Sequence, residues 1–140
     1  MKHSQMNKRC PGNRFIGFAK LTGYKFVYDG YSNKWNGAVA NIIETKDKKD
    51  IVWGGLFEIS EANRVALDCY EGYSDTYNRV EIDVEDSNDK TYKALVYLRE
   101  GEEVGIPSEQ YRAIVLEGAQ DCGLPRLYRR EFEFESVQPR

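Results

Sequence analysis

The stretch "ALDCYEGYSD", residues 66 to 75, sets a glutamate, Glu71, at the end of an apolar run with Tyr70 and Tyr73 on either side. Burial among rings favours the neutral carboxyl and raises its pKa towards neutrality, where a group can both take and give a proton. A plainer reading is also available: Gly72 is a natural helix stop, and glutamates are common at helix ends. Other chemistries have little to work with. His3 is the single histidine, so neither a Ser-His-Asp set nor a histidine-rich zinc site can be assembled. No glycine-rich phosphate loop follows a strand. Cys10, Cys69 and Cys122 are odd in number and far apart, which argues against a disulfide framework and for a reducing cytoplasm. An enzyme built on this chain works with carboxylates, tyrosines, backbone N–H groups, or a nucleophile that the substrate brings.

The elements that would position Glu71 follow from periodicity. Ala62, Val65, Ala66 and Cys69 fit the i, i+3, i+4, i+7 spacing of an amphipathic helix. Ser60 suits its N-cap, Glu61 its first turn, and Gly72 its end. Around it the chain is rich in strand-like runs. "RFIGFAKL" (14 to 21) and "YKFVYDG" (24 to 30) flank the turn Thr22-Gly23, while "GAVANII" (37 to 43) and "DIVWGGLFEIS" (50 to 60) flank a polar loop. In the last of these Ile51, Trp53, Phe57 and Ile59 share a face, and Gly54-Gly55 marks a bulge or a close backbone approach. "RVEIDVE" (79 to 85) alternates apolar and charged residues and leads through "DSNDK" into "TYKALVYLRE", a hairpin. A short helix ends before Pro11-Gly12. Ser108 caps a helix whose stripe is Tyr111, Ile114, Val115, Gly118 and Cys122, and Gly123 ends it. Pro125 opens a second helix carrying Leu127, Tyr128 and Phe132, and the polar tail frays. Many antiparallel strands with a few helices predict an α+β fold, a small curled mixed or antiparallel β-barrel with flanking helices, as one domain over 1–140.

Composition narrows the partners. The 140 residues are 41% apolar and 31% charged with mixed signs, and the net charge is -3. No basic face or arm points to nucleic acid or to an anionic membrane. No apolar stretch is long enough to span a bilayer, and a signal-peptide core is missing, so a cytoplasmic location is expected.

Four stretches, in order, carry a resemblance. "WNGAVANI", "DIVWGGLFEIS", "LDCYEGYSDTYNRVEIDV" and "IPSEQYRAIVLEGAQDCGLP" are similar to the gamma-glutamylcyclotransferase-like (AIG2-like) family, with the likeness covering residues 1 to about 130. The Leu-Asp-x-x-Glu-Gly pattern puts the family's catalytic glutamate at Glu71, with Leu67, Asp68 and Gly72 in register. The family's Tyr-Gly-Ser-Asn loop does not occur in the sequence, and Met1 falls on the apolar position after it. A start codon assigned too late accounts for this; a real loss is the alternative, and would leave a nearly inactive chain.

What the resemblance implies is conversion of a gamma-glutamyl amide into 5-oxoproline and a free amine. The substrate's own alpha-amine is the nucleophile, with Glu71 as general acid/base and Tyr77 and Tyr97 as substrate-binding residues. The reaction needs no metal or organic cofactor. The expected partner is the small-molecule substrate, a dipeptide, glutathione, a gamma-glutamylamine or a biosynthetic intermediate, and the chain a monomer or homodimer. Strand packing explains Tyr77 and Tyr97 equally well. The rival readings are a catalytically impaired member of the fold that binds a small molecule or protein, a hydrolase pairing Glu71 with Asp68 or Glu58, and a structural domain.

Overall fold

The computed structural model describes residues 1–73, 77–129 and 132. A short helix α1 (His3–Arg9) is followed by strands β1 (Arg14–Thr22), β2 (Tyr24–Ser32), β3 (Gly37–Glu44) and β4 (Ile51–Glu58). Helix α2 (Glu61–Glu71) leads to the hairpin β5 (Asn78–Asp86) and β6 (Thr91–Leu98), and helices α3 (Glu109–Asp121) and α4 (Arg126–Arg129) close the order. Every ladder between these strands is antiparallel. The strands form a four-stranded sheet, β4-β1-β5-β6, and a two-stranded one, β2-β3.

The strands on either side of Thr22-Gly23 do not pair with each other. β1 pairs with β4 along its length, with a bulge between Phe15 and Gly17, and touches β5 at Ala19 and Lys20. The turn glycine instead bonds outward to both flanks of the polar loop, through Asp50 and Thr45. The β5–β6 hairpin lies where the alternating pattern predicts, joined through the turn at Asp86.

Six strands contribute to one apolar cluster. Ala19, Leu21, Tyr24, Ile42, Val52, Leu56, Ile82, Val84, Tyr92 and Ala94 meet there, which requires the two sheets to curl towards one another. This is the expected α+β curled architecture. A second cluster packs α3 and the chain after it (Ala119, Cys122, Leu124 and Phe132) onto Phe15, Phe18, Phe26, Trp53 and Phe57. β4 therefore uses both faces: Trp53 and Phe57 serve the helix side, Val52 and Leu56 the curled interior. The glycine gap in β4 is a close approach. A Cβ on Gly55 would lie 2.4 Å from Cys122 Sγ, so nothing larger lets α3 sit down on the sheet.

The helix ends obey local rules. Ser60 and Asn63 form a reciprocal capping box on α2, and Gly72 closes it in the left-handed region at φ 64°. Ser108 caps α3 by accepting from Tyr111 N–H. Pro125 sits one residue ahead of α4, where its carbonyl takes the Arg129 N–H. Phe132 lies beyond that helix, in the core. The Leu127 side chain and the tail from residue 133 onward lie outside the described residues.

Candidate active site

The apolar stripe expected for α2 is corrected by the structure. Ala62, Val65 and Cys69 face outward, with Val65 54% exposed, and the covered positions are Asn63, Leu67 and Glu71, with Arg64 and Asp68 beside them. Both stripes fit a helical period. The inward one is mostly polar, so counting apolar residues selects the wrong face. Its polar members have work to do: Asn63 caps the helix and donates to the Pro11 carbonyl, fixing α2 against the turn after α1.

Glu71, the last residue of α2, stands on the wall of a cleft of about 1600 Å³ between the sheets and α3. That exceeds the usual 300–1,000 Å³ of ligand pockets, so the cleft is an open trough rather than a fitted cavity. Burial pushes the Glu71 carboxyl up from its ordinary value, and the Arg9 guanidinium and N-terminal ammonium oppose the rise without cancelling it. Among the described residues none donates a hydrogen bond to it. Its place at a helix C-terminus adds no donor, since the backbone there presents carbonyls.

The rings next to Glu71 in sequence stand largely in solvent. Tyr70 is 55% and Tyr73 41% exposed, with the guanidinium of Arg9 over the first and of Arg79 over the second. The rings facing Glu71 electrostatically are Tyr77, just ahead of β5, and Tyr111, in α3's first turn. Their hydroxyls meet at one residue: Tyr77 donates to the Ala40 carbonyl at 2.9 Å, and the Ala40 N–H donates to the Tyr111 oxygen at 2.9 Å. The Tyr111 hydroxyl thus accepts from the backbone and keeps its own proton to donate. Burial pushes the Tyr111 phenol up to about 12, so that proton stays on at physiological pH.

Tyr97 has a different place. Its hydroxyl donates to Asp68 Oδ1 at 2.6 Å, and Asp68 is also gripped by Arg64 and Arg79. Burial and the Asp68 bond hold the Tyr97 phenol up, while the Tyr97 and Arg79 bonds hold the Asp68 carboxyl down. Tyr97 lines the cleft, but its polar end ties β6 to the turn of α2 that precedes Glu71. Glu58 is bonded to both ends of the Arg14 guanidinium at 3.2 Å and is held down by it.

Four residues of this region went unread in the sequence. In the sequence Tyr111 reads as one member of a helix stripe, and the Ser108 cap three residues earlier marks it as a first-turn residue. Arg99, Asp29 and Asn41 form a buried polar cluster behind Tyr77. The signal available was a carboxylate and an amide inside the apolar strands "YKFVYDG" and "GAVANII".

Comparison with known proteins places this geometry in a family. The sequence profile described as the AIG2-like family matches residues 51–132. The chain belongs to the AIG2-like family. Glu71, Tyr77, Tyr97, Arg99 and Tyr111 all fall inside the AIG2-like match, whereas Asp29 and Asn41 precede it. Gamma-glutamylcyclotransferases from Mus musculus and Homo sapiens are each 29% identical over 140 residues, covering 96% of this chain and 72% of the relative. A solved gamma-glutamyl cyclotransferase superposes on this AIG2-like chain with a TM-score of 0.85 at 28% identity, over 94% of this chain and 79% of that one. YkqA from Bacillus subtilis shares the fold, with a TM-score of 0.78 at 23% identity, over 97% of this chain and 48% of that one.

Proposed function

We propose that the chain is a gamma-glutamylcyclotransferase-type enzyme that releases 5-oxoproline and an amine from a gamma-glutamyl amide, with Glu71 as general acid/base. The observation that carries this reading is Glu71 itself: a cleft-wall carboxyl raised by burial and bonded to no donor among the described residues. A carboxylate kept only for structure is normally satisfied by donors, as Asp68 and Glu58 are here.

The chemistry asks for little else. The alpha-ammonium of the substrate loses a proton to Glu71, and the freed amine attacks the gamma-carbonyl. As the new C–N bond closes the five-membered ring, the attacking nitrogen sheds its second proton to solvent, so that the lactam keeps one N–H. Glu71 then returns the proton to the departing nitrogen as the old amide bond breaks. Attack within one molecule is worth effective molarities on the order of 10⁵ M or more when the geometry is held. The Tyr111 proton, free of backbone duties, is placed to support a polar atom of the substrate. A hydrolase of Glu71 with Asp68 or Glu58 is disfavoured, because each partner carboxylate is already ion-paired and held in its charged form.

The test is to offer gamma-glutamyl dipeptides and gamma-glutamylamines and to measure 5-oxoproline. Glu71→Gln is expected to lower turnover by about 10²–10⁴-fold, the usual contribution of a general acid/base. Release of free glutamate in place of the lactam, or full activity in Glu71→Gln, would refute the reading. Binding of these compounds without turnover by the unaltered protein would favour an impaired, ligand-binding member of the fold.

A further inference from the structure

Behind the Tyr77 ring lies a polar cluster that the proton relay does not use. Asp29 is 1%, Asn41 3% and Arg99 9% exposed, in a wall built otherwise from apolar strand residues. Arg99 Nη2 lies 2.6 Å from Asp29 Oδ1 and donates to the Asp29 carbonyl at 3.0 Å, while Nη1 donates to Glu102 Oε2 at 3.1 Å. Asp29 Oδ2 accepts from Asn41 Nδ2 at 3.3 Å and from Glu102 N–H at 3.0 Å. Asn41 in turn accepts from Arg99 N–H at 3.1 Å and donates to the Arg99 carbonyl at 3.0 Å. The guanidinium is held from several directions, and its carbon lies 5.4 Å from the centre of the Tyr77 ring.

We propose that Arg99, locked by Asp29 and Asn41, is a positioning residue that holds the Tyr77 ring in the cleft wall facing Glu71. Two anchors fix Tyr77, and neighbouring residues of β3 supply both. Its hydroxyl is bound to the Ala40 carbonyl, and its ring rests against the guanidinium of Arg99, whose backbone Asn41 holds and whose side chain Asp29 grips. Stability alone is a poor reason for the cluster, since a buried ion pair is often no better than apolar residues of the same volume. Such pairs do impose a single geometry, and Arg, with its planar fork, stacks on rings where Lys does not. The charged or titratable groups facing Tyr77 are Arg99, Glu71, Asp29 and Tyr111; burial raises the Tyr77 phenol and Arg99 opposes the rise.

Only the kinetic arm of the test rests on the cyclotransferase reading. The variants are Arg99→Lys and the paired Asp29→Leu/Arg99→Met, which removes both charges together and so leaves neither unpaired. In protein carrying ¹³C-labelled tyrosine, the Tyr77 signal is identified by its loss in Tyr77→Phe. The paired variant is expected to move that signal and to raise the midpoint at which Tyr77 ionises. Turnover of gamma-glutamyl substrates is expected to fall by about 10²-fold, in kcat more than in KM, as for a misplaced site group. Arg99→Lys keeps the charge but loses the stacking plane, so its Tyr77 signal moves less and its kcat lies between the two. A folded paired variant with the Tyr77 signal and midpoint unchanged overturns the inference. If the paired variant fails to fold, an unmoved Tyr77 signal in Arg99→Lys overturns it instead. Should even the unaltered protein release no 5-oxoproline, the function proposed above falls, and the Tyr77 signal by itself decides whether Arg99 positions the ring.

Discussion

The chemistry of this site turns on which polar groups lack a partner. Asp68, Glu58 and the Tyr77 hydroxyl are occupied, whereas among the described residues Glu71 and the Tyr111 proton have no partner. Tyr111→Phe separates the two things that hydroxyl does. It strands the Ala40 N–H, which is expected to lower stability by about 1–3 kcal/mol in urea denaturation. It also removes a donor from the cleft, and 5-oxoproline release is expected to fall by about 10²-fold if that donor meets developing charge. A variant with the stability loss but unchanged turnover would confine Tyr111 to holding β3. At this scale the sequence was a partial guide. Glu71 stood out by type and setting, but the rings coupled to it electrostatically, Tyr77 and Tyr111, come from elsewhere in the chain, and Tyr70 and Tyr73 face water.

Among the elements, the contact that brings Tyr111 to the cleft is the approach of α3's first turn to the start of β3. Gly37 makes it possible: a Cβ there would lie 2.8 Å from both the Ile106 carbonyl and the Ser108 N–H, backbone atoms that cannot turn aside. Gly37→Ala is therefore expected to cost about 1–3 kcal/mol by overpacking and to reduce turnover, since it pushes the Ser108 cap and Tyr111 away from Ala40. Gly101→Ala serves as the comparison. Its Cβ would meet the tip of Ile43 at 3.0 Å, which can rotate, so its effect on both measurements should be smaller. Equal losses in the two variants would mean the β3–α3 contact is not special. Periodicity located the strands and the helix boundaries well, because caps, turn residues and alternation are local. It misjudged the inward face of α2, because hydropathy ranks residues by transfer to oil and not by the partners they find.

For the whole molecule, Glu71 ties the fold's stability to pH. Its folded pKa is raised above the ordinary value of 4.5, so between those two values the folded chain holds a proton that the unfolded chain has lost. Stability must then fall as pH rises through that window, and the penalty persists above it. Glu71→Gln lacks the titration. Its melting temperature should match that of the unaltered chain at about pH 4 and exceed it at about pH 7, as read by thermal melts across that range. The opposite order at neutral pH would mean that Glu71 is stabilised as an anion, which would remove the basis for the role proposed for it as a proton carrier. Activity should follow the same group: turnover rises with pH as Glu71 loses its proton, with the midpoint above 4.5.

The order and kind of the secondary elements and the caps at Ser60, Gly72 and Ser108 were legible in the linear chain, because each depends on residues a few positions apart, and the family likeness was legible because it needs only the order of short motifs. Which strands pair, which face of α2 turns inward, and that Tyr77 and Tyr111 converge on Ala40 while the Arg99 cluster gathers on Asn41 were decided only by the tertiary structure. Those contacts join residues separated by dozens of positions, and their energy comes from burial and from partners that exist only once the sheets have curled together.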